Sequence, residues 1–317
     1  VANYQYSSDL INDALFRAGE PTDGTSDYEA AALRYLNRAY QALWEGGAEF
    51  LPEMREPWWW LRKHDAFILE PVIDTGTVQV TQGSATVTFT AAPTPEVDTT
   101  VSGWLFKTAS HPDVYVISTH VALAVNATLD EIWTGSDASA ASYSLMKIDY
   151  PLPADCMHVL EPMRAYQDSR NEVVGMAESS LYDAYPLNQI QKAIPRYFCA
   201  YDEDTVRFNS APRELTRIDY MYLYRPAALT DSGSEEPIVP IQYRRILALM
   251  ASYWILQDKD DTRRTEMAAE ARSLATGMQR ENKTRWARQG RAARIYTRQR
   301  SRFRGPLRTE SGHLLGY

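Results

Sequence analysis

Apolar residues early in the chain recur every three or four positions, and polar residues mark where each run stops. Ser7, Ser8 and Asp9 offer N-caps to a helix whose Leu10, Ile11, Ala14, Leu15 and Ala18 share one face, with Gly19 ending it. "PTDGTS" is a loop. Ser26 and Glu29 then form a capping-box pattern ahead of a second helix carrying Leu33, Leu36, Ala39, Tyr40, Leu43 and Trp44, closed by Gly46-Gly47. A third, short helix holds Trp58, Trp59 and Trp60, with Pro57 in its first turn.

From Gly76 to Ile148 the period changes to two. "TVQVT", "ATVTFT", "WLFKT", "VYVIST", "ALAV" and "YSLMKI" are short Val-, Thr- and aromatic-rich runs broken by Gly, Pro and Asp. They predict an antiparallel β unit of five or six strands, with Val78, Val80, Val87 and Phe89 on a buried face. The two prolines of "YPLPAD" (150–155) predict an extended crossing out of it. Beyond lie a strand near His158, Val159 and Leu160, helical signals around Leu181 to Ile194, and a β-hairpin from "TVRFN" and "RIDYMYLYRP".

Pro240 opens a helix whose broad apolar face runs from Tyr243 and Ile246 to Trp254 and Leu256, a width that implies several neighbours. "DKDD" interrupts it. A following helix over roughly 261–282 carries Met267, Ala268, Ala271, Leu274 and Met278. The pattern therefore predicts an α+β chain with a helical body over 1–69 and 150–285, including a β-hairpin near 205–225. A small antiparallel β barrel or sandwich is inserted at 70–149, and an extended C-terminal arm spans 286–317.

Charge sharpens that division. The 317 residues carry a net charge of -8. Residues 280–317 hold eleven Arg or Lys against Glu281 and Glu310, while the residues before them hold 22 basic and 39 acidic ones. An acidic body thus carries a basic arm, an asymmetry that marks a partner-binding segment. No apolar run reaches the length of a membrane span. "VANYQYSSDL" has neither the basic start nor the apolar block of a signal peptide. Cys156 and Cys199 are too few for a disulfide framework and read as reduced, packed thiols of a cytosol-made protein.

Candidate chemistry is sparse. His64, His111, His120, His158 and His313 form no metal-ligand spacing, and neither cysteine has a CxxC partner. Cys156 and His158 read as a core pair rather than a ligand pair. Phosphate-binding glycine loops and the GxSxG elbow are absent. "DKDD" and "YDEDTV" read as a helix break and a solvated turn rather than cation sites. Nothing here supports catalysis, so no enzyme activity, cofactor or metal is expected. Three consecutive tryptophans on a helix point three ways, so Trp58, Trp59 and Trp60 are assigned to core plus subunit interface.

In the arm, Arg288, Arg291, Arg294, Arg298, Arg300, Arg302, Arg304 and Arg308 interleave with Trp286, Ile295, Tyr296, Phe303 and Leu307, and Leu314, Leu315 and Tyr317 close it. Arginine's dominance over lysine favours planar, bidentate partners such as carboxylate or phosphate. A purely solubilising tail would be poorer in large apolar residues. Two readings remain on charge alone: nucleic-acid binding, with aromatics stacking and arginines on phosphates, or docking into an acidic groove on a partner protein.

The order of parts separates them. A Trp cluster, "VTQGSATVT" at Val80 to Thr88, "YPLPAD" at Tyr150 to Asp155, "PRYF", "IDYMYLYRP" and the Pro240-Ile241-Gln242-Tyr243 helix start follow one another over most of residues 1–285. This order resembles the head-to-tail adaptor (connector or neck) proteins of tailed bacteriophages. The resemblance implies a structural virion protein at the neck, assembled in the host cytoplasm as a ring of about twelve copies. The ring would dock on the portal, meet a tail or nozzle protein below, and continue the DNA channel without binding DNA specifically. It also implies that the arm grips the portal. A nucleic-acid-binding protein is the alternative reading, and a tail-associated cell-wall hydrolase a third class.

Overall fold

A computed structural model describes residues 4–45, 57–165, 172–230, 234–288 and 294–296. The chain opens with helices α1 (Ser7–Ala18) and α2 (Glu29–Glu45), followed by the long strand β1 (Arg62–Leu69). Seven short strands come next: β2 (Val78–Val80), β3 (Thr86–Phe89), β4 (Leu105–Thr108), β5 (Tyr115–His120), β6 (Asn126–Leu129), β7 (Ala138–Ala141) and β8 (Tyr143–Met146). Then come β9 (Asp149–Pro151), β10 (Cys156–Ala165), β11 (Glu172–Gly175) and helix α3 (Glu178–Ala184). Strands β12 (Gln191–Lys192), β13 (Tyr197–Asp202), β14 (Thr205–Phe208), β15 (Ser210–Ala211) and β16 (Thr216–Tyr224) follow. Helices α4 (Arg245–Asp258) and α5 (Arg264–Arg288) precede a last strand, β17 (Arg294–Tyr296). The chain divides into a helical unit, Val1–Lys63 with Tyr222–Ala293, and a β unit, His64–Met221 with Arg294–Tyr317.

In the helical unit α4 is the central element. Ten of its residues, from Ile246 to Leu256, are buried, and α1, α2 and α5 all pack on it. Its one buried hydroxyl, Ser252, donates to Ala248 O at 2.7 Å within the helix. The 3-10 turn Ile241–Tyr243 leads into it. Arg244, nearly buried at that junction, donates to the carbonyls of Val239 (2.8 Å) and Gln5 (2.5 Å). The Pro-Ile-Gln-Tyr-Arg turn thus aims a cation at main-chain carbonyls.

The β unit holds two strongly curled sheets. The seven-stranded sheet runs β7-β2-β3-β6-β5-β4-β8. Its two end strands are separated in sequence only by Ser142, which forces the sheet round toward closure. Trp104, Trp133, Phe89, Phe106 and Tyr143 fill its interior. Gly83, at φ +77°, turns the β2–β3 hairpin where a side chain would be strained.

The eight-stranded sheet runs β1-β16-β10-β11-β13-β14-β9, with β17 added on β10. Its ends also approach each other: Phe67 on β1 and Tyr150 on β9 meet edge to face at 6.2 Å. Phe67 stacks on Tyr220 at 4.3 Å and meets Phe208 at 5.5 Å, so one aromatic cluster fills this interior. Burial pushes the Tyr150 hydroxyl far up, while its oxygen accepts the Glu70 N–H at 2.8 Å.

The expected helical body with a small β insert is therefore wrong. Between Arg62 and Tyr224 the described residues contain a single α-helix, α3, and residues 150–224 belong mainly to the larger sheet. The expected hairpin near 205–225 does not form either: β14 pairs with β13 and β9, while β16 lies between β1 and β10. The physical reasons are double-sided burial and long-range pairing. In β13 Phe198 and Cys199 are consecutive and buried, so it lacks the alternation that reveals a strand. The strands expected at Val159–Leu160 and Val206–Phe208 do form, but their pairing reaches β16 and β9, far away in sequence.

Burial pushes the Cys199 thiol up to about 12. At pH 8 its thiolate fraction should fall roughly three orders of magnitude below that of an exposed thiol. Native-state labelling should therefore modify the half-buried Cys156 and spare Cys199 until denaturant is added.

Candidate functional site: the root of the C-terminal segment

α5 presents Ala271, Ala275 and Met278 to the helical unit's core, and the same stripe continues into Asn282, which is 3 % exposed. A buried amide must be hydrogen-bonded, and this one is. Its Oδ1 accepts the Trp59 N–H at 3.0 Å and its Nδ2 donates to Pro57 O at 3.0 Å. The tryptophans are held just there. Trp58 is buried, its Nε1 donating to Leu43 O at 2.6 Å, while Trp59 and Trp60 are half-buried. Trp58 and Trp60 stack at 4.7 Å, and Trp59 meets Trp60 edge on at 5.8 Å. Only Trp59 and Trp60 lie in the 3-10 turn Trp59–Leu61; Trp58 precedes it in extended backbone.

One helical turn beyond Asn282, the Arg285 guanidinium lies 4.0 Å over the Trp59 ring and pairs with Glu281 at 2.7 Å. Glu281 also accepts hydrogen bonds from the Tyr243 hydroxyl and, at 3.4 Å, from Gln242 Nε2. The Tyr243 bond first, and then that of Arg285, hold the Glu281 carboxyl below the usual range. Burial and the facing carboxylate raise the Tyr243 hydroxyl. A carboxylate with a depressed folded pKa contributes stability above its unfolded value, near 4.3, and loses it as pH falls through the folded value. Glu281→Gln should thus lower the melting temperature at pH 7. The gap to the parent should shrink and close on acidification; a gap independent of pH would contradict the assignment.

Of the predicted arm residues, Trp286 and Arg288 lie in the last turn of α5, which runs past the expected end near 282. Arg294, Ile295 and Tyr296 form β17 in the β unit, antiparallel to β10. Arg291, Arg298, Arg300, Arg302, Phe303, Arg304, Leu307, Arg308, Leu314, Leu315 and Tyr317 lie outside the described residues. Sequence reasoning missed Tyr243, Glu281, Asn282 and Arg285. Glu281 and Arg285 carry the i,i+4 signal of a helical ion pair, and Asn282 stands where the apolar stripe turns polar.

"YDEDTV" is the tight turn of the β13–β14 hairpin, and Asp261 in "DKDD" accepts from the Arg263 backbone at 2.8 Å. Among the described residues, no group of three or more His, Cys, Asp or Glu is placed to hold a metal ion. No helix among them is long and apolar enough to cross a membrane.

These contacts tie the end of α5 to the tryptophan turn within the helical unit. Residues 119–302, more than half of the chain, match the family described as SU10 adaptor protein. The chain belongs to that family and is a bacteriophage structural adaptor. "YPLPAD", "IDYMYLYRP" and Pro240 to Tyr243 lie inside the matched range; Val80 to Thr88 lies before it. No curated protein matches the chain.

Proposed function

We propose that this chain assembles into a ring between the portal and the tail of the virion, continues the DNA channel, and grips the portal with its C-terminal segment. The match to the SU10 adaptor family over residues 119–302 carries this reading. The charge distribution supports it. Residues before 280 hold 39 acidic side chains against 22 basic ones. A channel wall of that sign repels passing phosphates and prevents the counterion-releasing contacts that would hold DNA. The basic segment suits an acidic cleft on a protein partner, with its aromatic and leucine residues as anchors. On this reading the chain is a structural component, and its work is assembly rather than a reaction.

Mass in solution tests it directly. Mixing the purified chain with portal rings should give a defined complex carrying about twelve copies of the adaptor. A chain that stays monomeric with portal rings present, but binds duplex DNA with a steep salt dependence, would replace this reading with the nucleic-acid one.

A further inference from the structure

The ten-residue strand β10 is shared between neighbours. Its pairing with β11 covers Met163 and Arg164, whereas Val159, Leu160 and Glu161 pair with Tyr296, Ile295 and Arg294 of β17. Pro162 separates the two stretches and, lacking an N–H, breaks the ladder between them. The three residues facing β17 are among the most buried on the strand, at 5 %, 0 % and 9 % exposure. Backbone donors and acceptors buried there require a strand partner.

From these observations we infer that Val159–Glu161 is a strand-accepting peptide site whose occupant is this chain's own Arg294–Tyr296 segment. The segment is suited to it. Ile295 and Tyr296, followed by Thr297, are the strongest run of β-forming residues in an otherwise Arg- and Gln-rich stretch. The register sets a basic position, Arg294, across from an acidic one, Glu161. A slip of one residue would place an apolar position of the segment there instead, so the observed register is the one that sets opposite charges at facing positions. Main-chain ladder bonds give such a site its affinity, and cross-strand partners its selectivity. The C-terminal segment would then be fastened to the β unit at this point, and residues from Thr297 onward would be the part offered to other molecules. This holds whatever those residues bind.

The test uses the full chain and a fluorescent peptide covering residues 291–299. Ile295→Pro removes an N–H and disrupts β17, opening the site, so the variant should bind the peptide saturably while the parent, already occupied, should not. An Arg294→Glu peptide should bind at least about tenfold more weakly. In the same variant, amide exchange at Val159, Leu160 and Glu161 should speed up by about tenfold or more while the other strands keep their protection. Equal peptide binding by parent and variant, equal binding of a scrambled peptide, or unchanged exchange would overturn the proposal. Photocross-linking from position 296 to β10 of a differently tagged copy would also overturn it, because the occupant would then be a second chain.

Discussion

Replacing Asp149 by alanine should cost the β unit about 3 kcal/mol, the low end of the range for breaking a buried ion pair from one side. Arg207 on β14 is 6 % exposed and meets Asp149 on the neighbouring strand through two parallel bonds, at 2.6 and 2.7 Å. Its guanidinium also lies 3.5 Å over the Tyr201 ring and donates to the Tyr182 hydroxyl. Burial alone would lower the Arg207 pKa, yet the Asp149 bonds and charge outweigh it and hold the pKa above its ordinary value. An arginine stays protonated at any working pH, so the variant leaves a buried cation with the Tyr182 hydroxyl and the Tyr201 ring but without its carboxylate. The low end applies because the Asp149 side chain is 26 % exposed, which lets water reach the vacated side.

For a unit of this size that loss should appear as a fall of roughly 6 to 12 °C in melting temperature. Pairing the change with Arg207→Met should recover much of the loss, since an apolar side chain leaves no orphaned charge. The four-variant cycle, followed by urea melts, checks both statements. A loss below about 1 kcal/mol for Asp149→Ala would mean that water already screens the pair.

Much of the helical unit is legible in the amino-acid sequence. Leu10, Ala14, Leu15 and Ala18, then Leu36, Ala39, Tyr40 and Leu43, are buried as their spacing requires, because a helix packed on one side keeps a one-sided pattern. Local turn chemistry was equally legible, with Gly19 at φ +72° ending α1. The larger sheet was not. Its strands are brought together from residues 62–69, 149–224 and 294–296, and such pairing depends on long-range closure that no local window contains. Arg207 misleads for the same reason: a charged residue between Val206 and Phe208 suggests a wet face, and only a carboxylate 58 positions away makes it a core residue. At the candidate site, composition revealed the basic segment and the tryptophans. The residue that joins Trp59 to α5, Asn282, has no signature beyond its place on the helix.

Ending the chain after Tyr296 should leave folding intact and abolish stable association with portal rings, weakening it by about a thousandfold or more. The cut retains α5 with Asn282, which a cut near residue 279 would remove together with its bonds to Trp59 and Pro57. It also retains β17 on β10, so the β unit keeps its added strand. What it removes is Arg298, Arg300, Arg302, Phe303, Arg304, Leu307, Arg308, Leu314, Leu315 and Tyr317. Buried aromatic and arginine anchors each contribute about 2 kcal/mol or more at an interface, so the loss of two already implies roughly a thousandfold. The parent's melting temperature in the shortened chain, with no adaptor co-sedimenting on portal rings, is the expected pair of results. Salt then separates the partners. A protein cleft anchored by Phe303, Leu307 and Tyr317 should hold the full chain with a shallow dependence on salt, because apolar burial is not screened. If the five arginines instead lay on phosphates, affinity for nucleic acid would fall with a log–log slope near -4 to -5, and portal binding would survive the cut.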